Sequence, residues 1–155
     1  MNTSTTAGKI VVGVDGSEHS RRALTWALAE ARLRGVGCVA IHAWGYGLTT
    51  STLLPGEAPV VLSDDAEAVL AKDVEFAAAS GVPVEGILVF AAANRALIDA
   101  SHDALLIVVG SHGRGAFATA LLGSVSLACV HHAVCPVVVI TAEEGADKGR
   151  AASAA

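Results

Sequence analysis

Short aliphatic runs alternate along this chain with segments whose apolar residues recur at helical spacing. The first run, KIVVGV at 9–14, is followed by a segment with alanine or leucine at positions 23, 24, 27, 28 and 31. Further runs at 37–44, 84–90, 104–110 and 136–140 each follow another helix-like segment. Because helical crossovers connect parallel strands, this order predicts an α/β fold. We expect a doubly wound, open, five-stranded, mostly parallel sheet with helices on both faces.

Composition supports one aliphatic domain. Hydrophobic residues make up 53% of the 155 residues but aromatic residues only 4%, which suits a buried parallel sheet. We expect a flexible N-terminus at 1–8, one domain at 9–141 and a disordered tail at 142–155, which lacks large apolar residues. The composition of residues 45–63, rich in Gly, Thr, Ser and Pro, predicts a loop. Asp64 with Glu67 resembles a capping box, and a helix is predicted at 66–79.

Charge and segment types exclude several classes of function. A net charge of −5, without a cluster of basic residues, argues against nucleic-acid binding. The sequence has neither a signal-peptide pattern nor a stretch apolar enough to span a bilayer, so we expect a cytoplasmic protein with no membrane contact. Cys38, Cys129 and Cys135 show no CxxC spacing and are expected to be free thiols. Adjacent His131 and His132 suit a helix C-terminus better than a metal site.

A glycine-rich turn follows the fourth aliphatic run, and a helical segment opens shortly afterwards at Gly123 and Ser124. The turn consists of Gly110, Ser111, His112, Gly113, Arg114 and Gly115. A strand, a glycine turn and a helix N-terminus together suit a phosphate, because the backbone can approach closely and N–H groups point at the anion. Ligands of such sheets bind at the carboxyl ends of the strands, where Asp15 follows the first strand. The sequence therefore predicts a nucleotide site at this edge.

These motifs together resemble the small, single-domain universal stress proteins, in particular their ATP-binding branch. The nucleotide signature of that family, Gly-x2-Gly-x9-Gly-Ser/Thr, is matched by Gly110, Gly113, Gly123 and Ser124. VVGVDGS at 11–17, IHA at 41–43 and HAVCPVVVI at 132–140 also resemble the family, so the similarity covers 9–141. Two stretches depart from it: Ala91-Ala92-Ala93-Asn94, where a Gly-x-Pro is common, and Leu105, where an Asp is common.

The resemblance implies the strand order 3-2-1-4-5 and a binding site for ATP, with or without Mg²⁺. Asp15 would contact ribose hydroxyls or a nucleotide-bound Mg²⁺, although an Asp here also suits a turn or a helix cap. The backbone of Ala43 would lie against the adenine, and simple strand packing is the alternative. The implied nucleotide-binding residues are Gly13, Val14, Asp15, Ala43, Gly110, Ser111, His112, Gly113, Arg114, Gly115, Ala116, Gly123, Ser124 and Val125.

The function implied by the resemblance is that of an ATP-binding stress-response protein, which acts as a nucleotide-dependent sensor or switch with little or no turnover. The apolar edge strand at Val137–Ile140 predicts a homodimer, and a further protein partner is unidentified. One alternative is a slow ATPase or autophosphorylating enzyme that uses the same pocket. Another is a nucleotide-free, homodimeric interaction module. No Gly-Lys-Ser/Thr motif and no paired general base is present, so we assign no catalytic residue.

Overall fold

The chain forms a single five-stranded parallel sheet covered by helices. The computed structural model describes residues 3–45, 60–113 and 122–141. The described elements, in chain order, are α1 (Thr3–Thr6), β1 (Ile10–Gly13), α2 (Glu18–Arg34), β2 (Cys38–Gly45), α3 (Val60–Ala78), β3 (Val84–Ala91), α4 (Ala93–Ala100), β4 (Leu106–Gly110), α5 (Ser124–His132) and β5 (Val137–Ile140). The strand order is β3-β2-β1-β4-β5 and every pairing is parallel. The predicted α/β fold and strand order are confirmed.

Two apolar clusters cover the two faces of this sheet. Successive residues of a strand point to opposite faces, so Val12 belongs to one cluster and Val11 to the other. The first face packs against α2 and α3 through residues such as Leu24, Leu28 and Leu70. The second packs against α4 and α5, with Ala96, Leu97, Ala100 and Cys129. Because every strand pairing is parallel, the loops at the carboxyl ends of the strands lie at one edge of the sheet.

The described helices differ from the sequence expectation chiefly at the start of α3. That helix begins at Val60, the first position after Pro59, rather than at 66. Proline suits the start of a helix because it lacks an N–H and has a fixed φ, and it does not suit the interior. Asp64 and Glu67 therefore lie inside α3, and the expected capping box is wrong. The helix also takes up 60–63 of the predicted loop, while 46–59 lie outside the described residues.

The segment before β1, where the sequence predicts a flexible N-terminus at 1–8, is described from residue 3 onwards. It contains the short α1, Thr6 is buried, and the Gly8 N–H donates to the Asp103 carbonyl at 3.1 Å. These contacts attach the segment to the connection between α4 and β4. The expected tail at 142–155 lies outside the described residues. Among the helices that the structure describes, none has the length and apolar character needed to cross a membrane.

Candidate functional site

The end of β1 is fixed by the neighbouring strand β2. The Val14 N–H donates to the Ile41 carbonyl at 2.9 Å, and the ring of His42 lies 2.7 Å, through Nδ1, from the Val14 carbonyl oxygen. A carbonyl only accepts hydrogen bonds, so Nδ1 of His42 carries the proton. His42 is buried, as expected for a strand-end core residue. It sets the direction in which the chain leaves the sheet towards Asp15.

Asp15 lies in a tight turn between β1 and α2. Gly16 has a φ of 77°, a backbone conformation that glycine adopts readily. Asp15 Oδ1 accepts a hydrogen bond from the Ser17 N–H at 2.9 Å, and the Asp15 N–H donates to Ser20 Oγ at 3.2 Å. Ser17 in turn caps α2 by accepting from the Ser20 N–H. Asp15 is thus a turn residue, bonded through its N–H and through one carboxylate oxygen, Oδ1. Its second carboxylate oxygen is Oδ2.

That second oxygen lies beside the glycine turn that follows β4. A Cβ atom added to Gly113 would lie 2.9 Å from Asp15 Oδ2, a distance that real Cβ atoms do not show. The turns after β1 and β4 therefore meet, as expected for adjacent parallel strands. A carboxylate in this position suits hydroxyl donors or a cation, because direct contact with phosphate is repulsive.

The N-terminus of α5 lies against the same glycine turn. The Gly123 N–H donates to the Ser111 carbonyl at 2.6 Å, and a Cβ added to Gly123 would lie 3.2 Å from that oxygen. Gly123 is the N-cap residue of α5 and provides no side-chain cap. Ser124 and Val125 follow as the first helical residues. This arrangement has the backbone features of an anion site: a glycine turn and the first turn of a helix at close range.

Two further glycines of the predicted site have a packing role. A Cβ added to Gly110 would lie 2.9 Å from both the carbonyl carbon and the carbonyl oxygen of His19, at the start of α2. A Cβ added to Gly13 would lie 2.9 Å from Leu97 Cδ1, in α4. Glycine at 110 therefore allows the backbones of α2 and β4 to come into contact, and glycine at 13 leaves room for a side chain of α4.

Two histidine rings lie close together at this edge. The ring centroids of His19 and His112 are 5.6 Å apart and the planes are tilted by 56°. His112 Nδ1 is 3.0 Å from Ser111 Oγ. The side chain of His112 is thus held between its own turn and the first turn of α2.

Most of the described site residues predicted from the sequence therefore lie in one cluster. Gly13 and Gly110 are the last residues of β1 and β4. The turns that follow these strands contain Val14, Asp15, Ser111, His112 and Gly113, and the start of α5 contains Gly123, Ser124 and Val125. Ala43 lies in β2 opposite Val89, one residue beyond His42, and packs against the cluster on the α4 and α5 face. Arg114, Gly115 and Ala116 lie outside the described residues. No group of three or more His, Cys, Asp or Glu side chains within the described ranges could hold a metal ion.

Three supporting residues of this cluster were missed by sequence reasoning. Ser20 accepts from the Asp15 N–H, His19 contacts the His112 ring, and Ser126 donates to the Ser111 carbonyl at 3.1 Å. The signal for Ser20 and Ser126 was their place in the first turns of α2 and α5, where serine hydroxyls commonly bond to the backbone. His19 had no comparable signal.

Comparison with known proteins identifies the family. A family model described as the universal stress protein family matches residues 6–141. The chain belongs to this family. Its curated relatives include the universal stress protein Rv2005c of Mycobacterium tuberculosis, which is 40% identical over 132 residues. That alignment covers 84% of this chain and 44% of the relative. The chain spans about half the length of the curated relatives it matches.

Solved structures of the family share this architecture. A universal stress protein in complex with cAMP is 26% identical with a TM-score of 0.67, and the match covers 87% of this chain and 97% of that one. The universal stress protein of Archaeoglobus fulgidus in complex with dAMP is 28% identical with a TM-score of 0.66. That match covers 87% of this chain and 98% of the other. Both of these similar structures contain an adenine nucleotide.

Proposed function

We propose that this chain binds an adenine nucleotide, ATP with or without Mg²⁺, at the carboxyl edge of its sheet. The observation that carries the proposal is the meeting of three backbone segments: Gly113 beside Asp15 Oδ2, and Gly123 hydrogen-bonded to Ser111. Glycines at these contacts let an anion approach the backbone of the glycine turn and of the first turn of α5 closely. The nucleotide complexes of similar universal stress proteins support an adenine nucleotide as the ligand.

Each segment has a distinct role in this proposal. The glycine turn and the start of α5 bind the phosphates through backbone N–H groups, and the Ser124 hydroxyl donates to a terminal phosphate. Asp15 accepts from the ribose hydroxyls or binds Mg²⁺ held by the phosphates, where the metal would offset phosphate charge. The backbone of Ala43 lies against the adenine. The family resemblance also assigns Arg114, Gly115 and Ala116 to the nucleotide site; these residues lie outside the described ranges.

The biological role we propose is that of a cytoplasmic sensor or switch in the stress response. Such a switch requires partner proteins that bind the nucleotide-bound and nucleotide-free states with different affinity. Little or no turnover is expected, because the sequence contains no Gly-Lys-Ser/Thr motif and no paired general base. Phosphate release above that of the Gly113→Ala variant would instead favour a slow ATPase or autophosphorylating enzyme.

The nucleotide content of the purified protein tests this assignment. Acid denaturation followed by nucleotide chromatography is expected to release ATP from the wild type but not from Gly113→Ala, whose Cβ would contact Asp15 Oδ2. Gly37→Ala is the matched control, because its Cβ would meet Pro83 O at an ordinary 3.4 Å at the opposite edge. Recovered AMP or cyclic AMP would change the assigned ligand. If the purified wild type contains no nucleotide and does not bind ATP in calorimetry, the result would favour the alternative function, a nucleotide-free interaction module.

The role of Asp15 is tested by titrating ATP into Asp15→Asn with and without Mg²⁺. An affinity loss of about tenfold that appears only with Mg²⁺ indicates a metal ligand, since a charged partner contributes more than a neutral one. An equal loss in both conditions indicates a ribose acceptor. An affinity identical to that of the wild type would remove both roles.

We further propose that the protein is a homodimer through β5. This strand lies at the end of the sheet, and its four side chains are only partly buried. An apolar edge strand invites pairing with a second copy. Light scattering at micromolar concentration is expected to give twice the chain mass, and a monomeric mass would contradict the proposal.

A further inference from the structure

The hydroxyl of Ser126 connects the glycine turn to α5. Ser126 is the third residue of α5 and is 2% exposed. Its Oγ lies 3.1 Å from the Ser111 carbonyl oxygen and 3.0 Å from the Gly123 carbonyl oxygen, so one proton is shared between two acceptors. The Ser111 carbonyl also accepts from the Gly123 N–H at 2.6 Å. Two donors at the start of α5 therefore bind one carbonyl of the turn.

This arrangement fixes the spacing between two anion-facing segments. Ser111 lies two residues before Gly113, and the Ser111 N–H is itself bonded to the Ile140 carbonyl at 2.9 Å. Ser111 is therefore hydrogen-bonded to β5 through its N–H and to the start of α5 through its carbonyl. Movement of the glycine turn away from the helix would break the bonds from both Gly123 and Ser126.

We infer that Ser126 is a positioning residue for the phosphate end of the site: its hydroxyl holds the glycine turn against α5 so that the N–H groups of both segments reach the same anion. This inference rests on the proposed nucleotide binding. Ser126 does not touch the nucleotide in this scheme, because its Oγ is buried and directed at two backbone carbonyls. Preorganised donors of this kind bind tightly because little ordering remains to be done on binding.

The Ser126→Ala variant is expected to fold. The Ser111 carbonyl keeps its bond from the Gly123 N–H, and the Gly123 carbonyl keeps the Leu127 N–H at 3.0 Å. No backbone oxygen bonded by Ser126 is therefore left unsatisfied in this region. The variant removes one tie between the two segments and leaves the helix intact.

Ser101→Ala is a matched control. Ser101 is also 2% exposed, and its Oγ also joins two segments, donating to the Ile98 carbonyl at 2.6 Å and accepting from the Val134 N–H at 3.1 Å. It lies after α4, at the amino-end edge of the sheet and away from the glycine turn. Ser101→Ala therefore reports the general effect of losing a buried serine hydroxyl.

Calorimetric titrations with ATP and with adenosine test the inference, because adenosine lacks the phosphates. For Ser126→Ala we expect ATP affinity to fall about 3- to 10-fold, the range of one lost hydrogen bond, with adenosine affinity changed less than twofold. Ser101→Ala is expected to lower the melting temperature without changing the ratio of the two affinities. Unchanged ATP affinity in Ser126→Ala, or an equal loss for adenosine, would overturn the positioning role.

A second pair of variants isolates the hydroxyl from side-chain volume. Threonine and valine have nearly the same shape, so both add the same methyl group to this buried site. Ser126→Thr is expected to retain a higher ratio of ATP to adenosine affinity than Ser126→Val, and equal ratios would overturn the inference. A wild type that binds neither ligand would overturn the nucleotide assignment itself. A wild type that binds both, with an unchanged Ser126→Ala, overturns only the positioning role.

Discussion

Asp73 is a buried carboxylate whose hydrogen-bonded charge partner is on another helix. Its side chain, in α3, is 1% exposed, whereas that of Arg21, in α2, is 36% exposed. Arg21 Nε and Nη2 donate to Asp73 Oδ1 at 3.0 and 2.6 Å, while Oδ2 accepts no hydrogen bond within the described part of the chain. The Arg21 guanidinium also lies 4.3 Å from the centre of the Phe76 ring. The pair therefore joins α2 to α3.

Removing the two partners should have unequal effects on stability. Arg21→Met leaves the Asp73 carboxylate buried without its cation, which costs about 3–5 kcal/mol when both partners are fully buried. Because Arg21 is partly exposed, we expect the free energy of unfolding to fall by about 2–3 kcal/mol, including the loss of the Phe76 contact. Asp73→Asn removes the buried charge and lets Arg21 turn to water, so we expect a loss of about 1–2 kcal/mol.

Urea unfolding followed by circular dichroism measures these differences. With a typical m-value, Arg21→Met should lower the midpoint by about 1 M. Arg22→Met is the control, since Arg22 pairs with Glu18 on the surface of the same helix and should cost about 0–0.5 kcal/mol. In the double variant Arg21→Met/Asp73→Asn, the combined loss should be smaller than the sum of the single losses. The reasoning is refuted if Arg21→Met costs no more than Arg22→Met, or no more than Asp73→Asn.

Three further predictions concern close packing and buried thiols. Gly110→Ala should lower stability by about 1–3 kcal/mol, because its Cβ would meet the His19 backbone at 2.9 Å; equal urea midpoints for this variant and Gly37→Ala would contradict this. Burial raises the pKa of Cys38 to about 12 and that of Cys129 to about 11, while the pKa of Cys135 is raised by a milder burial. Iodoacetamide at pH 8 should therefore modify Cys135 before the other two cysteines, and mass spectrometry would detect this order. Rapid labelling of Cys38 in the native protein would contradict the prediction. The native chain keeps thiol protons that the unfolded chain releases above about pH 9. The free energy of unfolding should therefore fall between about pH 9 and pH 12. A urea midpoint that rises over this interval would contradict the prediction.

The parts of the fold that local pattern determines could be predicted from the sequence. The aliphatic runs of β1, β2 and β4 are strands that are mostly buried on both faces. Helix α2 has both a serine cap at Ser17 and a left-handed Gly35 at its end. The meeting of Asp15 and Gly113 could also be predicted, since both follow adjacent parallel strands. The start of α3 could not, because Asp64 and Glu67 imitate a cap that lies inside the helix.

The supporting contacts of the site depend on tertiary structure. His42 lies in an otherwise apolar strand and Ser126 follows Ser124 in the first turn of α5. No spacing in the sequence indicates which carbonyl either side chain will meet. Gly110 shows a related limit: its motif predicts close approach of a ligand, while the structure places the backbone of His19 against it. Sequence pattern thus identifies the loops, whereas the bonds that orient them come from residues far apart in the chain.

The position of β1 in the sheet has a consequence for how the domain is assembled during synthesis. β1 pairs with β2 on one side, but on the other side Ile10 pairs with Leu106, which lies 96 residues later in the chain (106 − 10). Such distant pairings form late, since a long loop must close first. A nascent chain that ends at β3 therefore has Asp15 but no glycine turn. The complete edge exists only once β4 and α5 have joined, so a ligand there would selectively stabilise fully folded molecules over partly synthesised ones.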